Sequence, residues 1–365
     1  MATFGKSPTY QAKLLRMWLA SPAHRPPNWR FSLEDVGSGD RHSFADLDAL
    51  ICYLLDLMDQ LAEPNPDCQT IAQQRRTPMH APTTTTGYAH PEMLVETEWV
   101  AACGSDPNVC LVEVDVDTSA YEQGHIAGAI GWNWRTDTQD QLSRDIPTPG
   151  EFAALMQRSG IGNDTTVILY GDNNNWFAAY ALWMMKYYGH ADVRLMNGGR
   201  AKWLAEGRPT TTDTPEPTPC SYTVGAIDKD LRALRPFVEQ SLGHTERAMV
   251  DVRSPDEYSG KLLAPAALPQ EGAQRGGHIP GATNIPWATA VAADGCFKPR
   301  AELEQIYGGK GITPDKQIIA YCRIGERSSH TWFALKYLLG YTDVRNYDGS
   351  WTEWGSAIGV PIERA

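Results

Sequence analysis

An internal repeat constrains this chain more than any other feature. Residues 170–203 lie over residues 321–354 at a constant offset of 151. GHADVRLMNGGRAKW at 189–203 then matches GYTDVRNYDGSWTEW at 340–354. Upstream, Gly124-His125-Ile126 matches Gly277-His278-Ile279, and LVEVD at 111–115 matches MVDVR at 249–253. Three matched segments in the same order make a duplication. In each half, short apolar runs alternate with helical patterns, which predicts a parallel sheet with crossover helices. The halves meet near residues 210–222, where Pro215, Pro217 and Pro219 cluster.

The repeat also separates what the halves share from what only one has. The offset sets Gly171 opposite Cys322, Asp172 opposite Arg323 and Trp176 opposite Arg327. In the second half, QIIAY at 317–321 suits a buried strand. Residues 328–339 suit a helix, with Trp332, Leu335 and Leu339 on one face. The loop Cys322-Arg323-Ile324-Gly325-Glu326-Arg327 joins them. A cysteine between a strand and a helix start meets unpaired backbone N–H groups, which favour an anion. With Arg323 and Arg327 beside it, the expectation is a thiolate held below the ordinary thiol pKa, poised for an anionic substrate. The first-half loop, GDNNN at 171–175, has neither nucleophile nor basic residue. It is expected to be an inactive copy that packs against the other half and walls its site.

The loop and the stretch CRIGERSSHTWF resemble the active-site loop of rhodaneses, the thiosulfate sulfurtransferases, and most of all the bacterial two-domain members. The resemblance covers about residues 88–362. It implies an α/β fold of two tandem rhodanese-like domains, each a mainly parallel sheet flanked by helices, with an inactive first domain. It also implies a loop of six residues cupping a sulfur that carries a transferable sulfur atom. The expected boundaries are an inactive domain at 87–212 and a catalytic domain at 213–365.

The activity implied is transfer of sulfane sulfur from thiosulfate to cyanide or a thiol, in two half-reactions through a Cys322 persulfide. Arg253 ends the matched strand and, by the resemblance, contacts the anionic end of the substrate with Arg323 and Arg327. The competing role for Arg253 is an ion pair with Asp251 or Asp256. Ile324, Gly325 and Glu326 complete the loop. Mercaptopyruvate enzymes resemble C-G-S-G-V-T, with a small hydroxyl where this chain has Ile324; two arginines favour a dianion over a monocarboxylate. Glu326 departs from the thiosulfate pattern by adding a negative charge. A phosphatase or arsenate reductase loop needs C-x5-R, and the spacing here is C-x4-R. A persulfide carrier serving a docked protein is a third reading.

Other residues of the second half bear on the site. Ser254-Pro255-Asp256-Glu257 predicts a capped helix start, with Ser254 as cap and Glu257 closing a capping box. An insert at 259–275, present only in the second half, brings Lys261 and Arg275 within consideration as substrate contacts. His278 has a counterpart, His125, in the inactive half, which argues for a structural role. Trp354 matches Trp203 and suits the core. Trp351 matches Arg200 and is a candidate for the mouth of the site.

Residues 1–62 are expected to form a small α+β module. Trp29, Phe31 and Leu33 alternate as in a strand. Ser43 is expected to cap a helix whose apolar stripe includes Phe44, Leu47, Leu50, Ile51, Leu54, Leu57, Met58 and Leu61. That stripe packs either within the protein or against a partner. Residues 63–86 have the composition of a linker, with Pro64, Pro66, Pro78, Pro82 and four consecutive threonines.

The net charge of −12 argues against nucleic-acid binding. An anionic substrate must therefore be held by a local basic site. The seven cysteines are odd in number and form no C-x-x-C pair, which fits a reducing, cytoplasmic location without a metal. No cofactor is needed for the expected chemistry. No apolar run reaches the roughly 18 residues of a membrane span.

Overall fold

The computed structural model describes residues 13–19, 29–35, 40–44, 50, 53, 87–264 and 272–364. The chain divides into two compact units, Met1–Met79 and His80–Ala365.

In the first unit, β1 (Lys13–Leu19), β2 (Trp29–Asp35) and β3 (Arg41–Phe44) form an antiparallel sheet in the order β1-β2-β3. Phe31 and Leu33 of β2 pack with Leu50, Phe44 and Tyr53. The alternation in WRFSLED thus marks a strand, as expected. Ser43 is corrected: it pairs with Ser32 in the β2–β3 ladder and is extended, so it caps no helix. Its hydrogen-bonding partner is the neighbouring strand, which a local capping pattern does not register. Apart from Phe44 and Leu50, the stripe expected over 44–61 lies outside the described residues.

The second unit holds two parallel sheets. The first runs β4-β8-β7-β5-β6, with β4 (Leu94–Val95), β5 (Val109–Asp115), β6 (Ile130–Asn133), β7 (Thr166–Tyr170) and β8 (Val193–Met196). The second runs β10-β9-β11-β12, with β9 (Arg247–Asp251), β10 (Thr283–Asn284), β11 (Gln317–Tyr321) and β12 (Val344–Asn346). All the pairings within both sheets are parallel. Strands β5 to β8 correspond to β9 to β12 in order. A single parallel bridge between Arg232 and Asn346 stands where β4 stands in the first sheet.

Five helices matter for the site. They are α1 (Trp176–Tyr187), α2 (Gly199–Ala205), α3 (Pro255–Ser259), α4 (Glu326–Phe333) and α5 (Ser350–Trp354). After Phe333 the α4 backbone widens into a π-turn over Ala334–Leu338. The expected helix is therefore present, begins two residues earlier and changes pitch midway. Trp332, Leu335 and Leu339 are buried, as their spacing requires.

The equivalent helices α1 and α4 pack directly on each other. As a result one apolar core runs through both halves, with Phe177, Ala178 and Ala181 of α1 continuous with Trp332 and Phe333. Backbone bonds join them too: Ala89 N donates to Leu338 O at 2.9 Å and His90 N to Tyr337 O at 2.9 Å. No helix among the described residues is long and apolar enough to cross a membrane.

Candidate active site

Cys322 leaves the carboxyl end of β11, where ligands meet open parallel sheets. Its side chain has no exposed surface. Its backbone N–H donates to Ser350 Oγ at 3.1 Å, while Trp351 N donates to Cys322 O at 3.1 Å and Thr352 N to Arg323 O at 3.0 Å. The start of α5 therefore pins the loop from one side. The loop then turns through Gly325, at φ 102°, which precedes α4. A Cβ there would lie 2.9 Å from Asp348 Cα, so the turn requires glycine on both grounds.

The turn brings Gly325 N–H to within 3.1 Å of the Cys322 sulfur. The thiol donates to Glu326 Oε2 at 3.2 Å, and Ser328 Oγ lies 3.7 Å away. Ser328 is itself held by Asn346 Oδ1 at 2.6 Å, and Asn346 Nδ2 donates to Ser329 Oγ at 2.9 Å. These residues are all buried, so the sulfur sits in a fixed polar nest at a helix N-terminus.

The charge of the nest differs from the sequence expectation. Burial pushes the Cys322 thiol up, and the Glu326 carboxylate adds to that. Arg327 and the Ser328 contacts oppose the rise without overcoming it. Burial and the nearby carboxylate thus both favour the thiol, whereas the sequence led to the expectation of a thiolate. Burial is the larger cause, and the Arg327 guanidinium that opposes it is shared with Glu257.

Arg327 donates through Nη1 to Glu257 Oε2 at 2.9 Å and through Nη2 to Glu257 Oε1 at 3.0 Å. Its Nε lies 3.5 Å from Glu326 Oε1. Burial alone raises a carboxyl pKa, but Arg327 pulls Glu257 down to about 2. Glu257 also completes the capping box of α3 with Ser254, as its position predicts. Arg323 is 1% exposed, and burial lowers its pKa although Glu326 counters that.

Arg253 is engaged by protein groups through Nε and Nη2, while its buried Nη1 has no hydrogen-bond partner among the described residues. It has no exposed surface, and Nη2 bonds Asp251 Oδ2 at 2.6 Å and Gly277 O at 2.7 Å. Its guanidinium also lies 4.5 Å from the centre of the Trp351 ring. The ion pair with Asp251, the competing role, is what the structure contains. Trp351 is fully buried beneath Arg253 and does not line the mouth of the site.

Arg275 donates to the carbonyls of Trp354, Gly355, Ala357 and Val360, so it ties down the C-terminal segment. Lys261 is exposed. His278 stacks on Tyr258 with ring centres 3.6 Å apart and bonds Tyr258 O at 2.9 Å. His125 does the same with Tyr121, at 3.9 Å and 2.9 Å. Both are structural, as their shared position implied. His330, on α4, is pushed down to about 3 by burial and stacks on Phe297.

The first-half loop reaches the site through Trp176. The Arg327 guanidinium lies 5.9 Å from the centre of the Trp176 ring, and Trp176 meets Trp287 edge to face at 4.8 Å. Trp176 is the repeat counterpart of Arg327. Where equivalent helices pack on each other, equivalent residues near the contact meet, and the internal alignment held that information. Glu257, Ser328, Asn346 and Ser350 carried no such mark. In the first-half loop itself, Gly171 is packed so tightly that a Cβ would lie 2.4 Å from Val114 O.

A family model described as Rhodanese-like domain matches the chain twice, at residues 96–206 and 237–357. The chain belongs to the rhodanese family. The two matches fall one in each half of the duplication. This rhodanese is 57% identical over 281 residues to the sulfur carrier protein TtuD of Thermus thermophilus, across 76% of this chain and 99% of that protein. It is 55% identical over 272 residues to a "Putative thiosulfate sulfurtransferase" of Saccharopolyspora erythraea, across 74% of this chain and 96% of that one. Among solved structures, it is similar to the anaerobic ergothioneine biosynthesis enzyme of Chlorobium limicola in complex with trimethyl histidine. There the TM-score is 0.67 and the identity 26%, across 76% of this chain and 71% of that one.

Proposed function

We propose that this rhodanese is a thiosulfate sulfurtransferase working by a ping-pong mechanism through a Cys322 persulfide. One observation carries the reading: a buried cysteine sulfur receives the Gly325 N–H at 3.1 Å at the N-terminus of α4, with Arg327 on the first turn of that helix. The Cys322 sulfur attacks the outer sulfur of thiosulfate. A new S–S bond forms, the bond to the sulfonate sulfur breaks, and sulfite leaves with the electron pair. The persulfide anion takes over the N–H contacts of the loop. Cyanide or a thiol then removes the outer sulfur and restores Cys322.

Arg323 and Arg327 are the arginines we assign to the sulfonate. Arg327 has five N–H donors; two serve Glu257 and the Nε–H faces Glu326. The remaining two are the ones assigned to substrate. Arg253 is assigned to bracing the end of β9 through Asp251.

The test is the intact mass after incubation with thiosulfate and removal of excess reagent, with Cys322→Ser beside it. A gain of one sulfur on the wild type alone supports the reading. No gain with the thiol still titratable overturns it and turns attention to 3-mercaptopyruvate. The likeness to a sulfur carrier favours a second reading, in which a protein takes the persulfide sulfur. Removal of residues 1–79 separates the two, since a docking role predicts loss of transfer to protein with thiosulfate turnover intact.

A further inference from the structure

We infer that Glu326 is the proton acceptor for Cys322, so that thiol and carboxylate hold one proton between them. As a step in sulfur transfer this rests on the reading above, but the shared proton can be measured without any sulfur donor.

The geometry is direct. Glu326 Oε2 is 3.2 Å from the Cys322 sulfur, and Glu326 is 1% exposed. His330 points into the core against Phe297 and serves no such role. The charged groups around the pair come from several elements. Arg323 and Arg327 flank it on the loop and α4, and Glu257 reaches Arg327 from α3. Asp251 and Arg253 neutralise each other at the end of β9. Asp348, which packs on Gly325 after β12, is held by Arg232 through 2.9 Å and 2.7 Å contacts.

Charge balance then selects the route of the proton. Arg323 and Arg327 are matched by Glu257 and Glu326 while Cys322 is a thiol. Loss of the thiol proton to solvent would leave an extra buried negative charge, which is costly. Passing it to Glu326 creates the thiolate without changing the charge of the site. The S–H bond breaks, its electron pair stays on sulfur, and the proton moves to Oε2. The thiolate attacks the outer sulfur of thiosulfate, sulfite leaves, and the persulfide anion remains beside a neutral Glu326. When cyanide removes the outer sulfur as thiocyanate, the thiolate reforms and the proton returns from Glu326. Burial and Glu326 together raise the Cys322 pKa, in keeping with a thiol that ionises through its neighbour.

Two coupled acids lose their protons in two macroscopic steps. Between them, a small pH-independent fraction carries the proton on Glu326 and the charge on sulfur. The test is the rate of alkylation by uncharged iodoacetamide across pH in the full chain, with thiolate ultraviolet absorbance alongside and Cys322→Ser as blank. The wild type should show a flat shoulder followed by a rise. Glu326→Gln should show one titration step, and Glu326→Asp should restore the shoulder. Sulfur loading from thiosulfate should fall on the order of 100-fold in Glu326→Gln, as for loss of a general base. A single step in the wild type, or a mere shift of midpoint in Glu326→Gln, overturns the inference. If Glu326→Gln fails to fold, the wild-type profile alone decides. A shoulder without sulfur loading would instead sink the thiosulfate reading and leave the shared proton standing.

Discussion

Cys322 makes its neighbours' contacts through sulfur and backbone alike, so serine can take its place with little loss of packing. Cys322→Ser should abolish sulfur loading while leaving the melting temperature nearly unchanged, checked by mass and calorimetry together. Gly325 is less forgiving. Its φ of 102° and the 2.9 Å approach of Asp348 both exclude a side chain. Gly325→Ala should cost about 1–3 kcal/mol of stability and should pull the Gly325 N–H away from the sulfur. Urea unfolding read beside the loading rate checks this. At this scale the sequence displayed Cys322 and its loop but not the contact between the thiol and Glu326. A strand–loop–helix pattern announces the helix N-terminus. It does not announce that Glu326 folds back onto the sulfur, because that depends on how the first turn of α4 is packed.

Among the elements, α3 and α4 are joined by the buried Glu257–Arg327 fork. Removing one partner of such a pair typically costs about 3–5 kcal/mol, because the other charge is left buried alone. Glu257→Gln should therefore destabilise the protein and lower sulfur loading. The pair also sets an acid limit. The folded Glu257 pKa lies near 2, below the ordinary 4.5, so its contribution is present above pH 4.5 and is lost as pH falls toward 2. Stability against pH should fall in that window for the wild type and be flatter there for Glu257→Gln. Strand β11 and the Ser254 capping box were legible because local spacing decides them. The Glu257 partner of Arg327 was not. Arg253 and Arg327 each sit among acidic candidates, and only the tertiary fold chooses between an acid and a substrate. Ser43 failed for the same reason, its local capping pattern being overruled by strand pairing.

In the His80–Ala365 unit as a whole, the two halves share one core through α1 and α4. Heat should unfold that unit in a single calorimetric transition, and the second half expressed alone should not fold; two separated transitions would contradict this. Trp176 reaches from the first half to Arg327, and a cation–π contact of this kind is worth about 0.5–2 kcal/mol. Trp176→Ala should lower kcat/KM for thiosulfate accordingly, whereas unchanged kinetics would confine the first half to packing. The duplication was fully visible in the sequence, yet the meeting of Trp176 with Arg327 needed the packing of one helix on its own copy. The close approach of Val114 to Gly171 has a consequence for redesign. With no room for even a methyl group at that position, a cysteine grafted onto the first-half loop needs the β5 backbone to move as well. One substitution alone does not turn the first loop into a copy of the second.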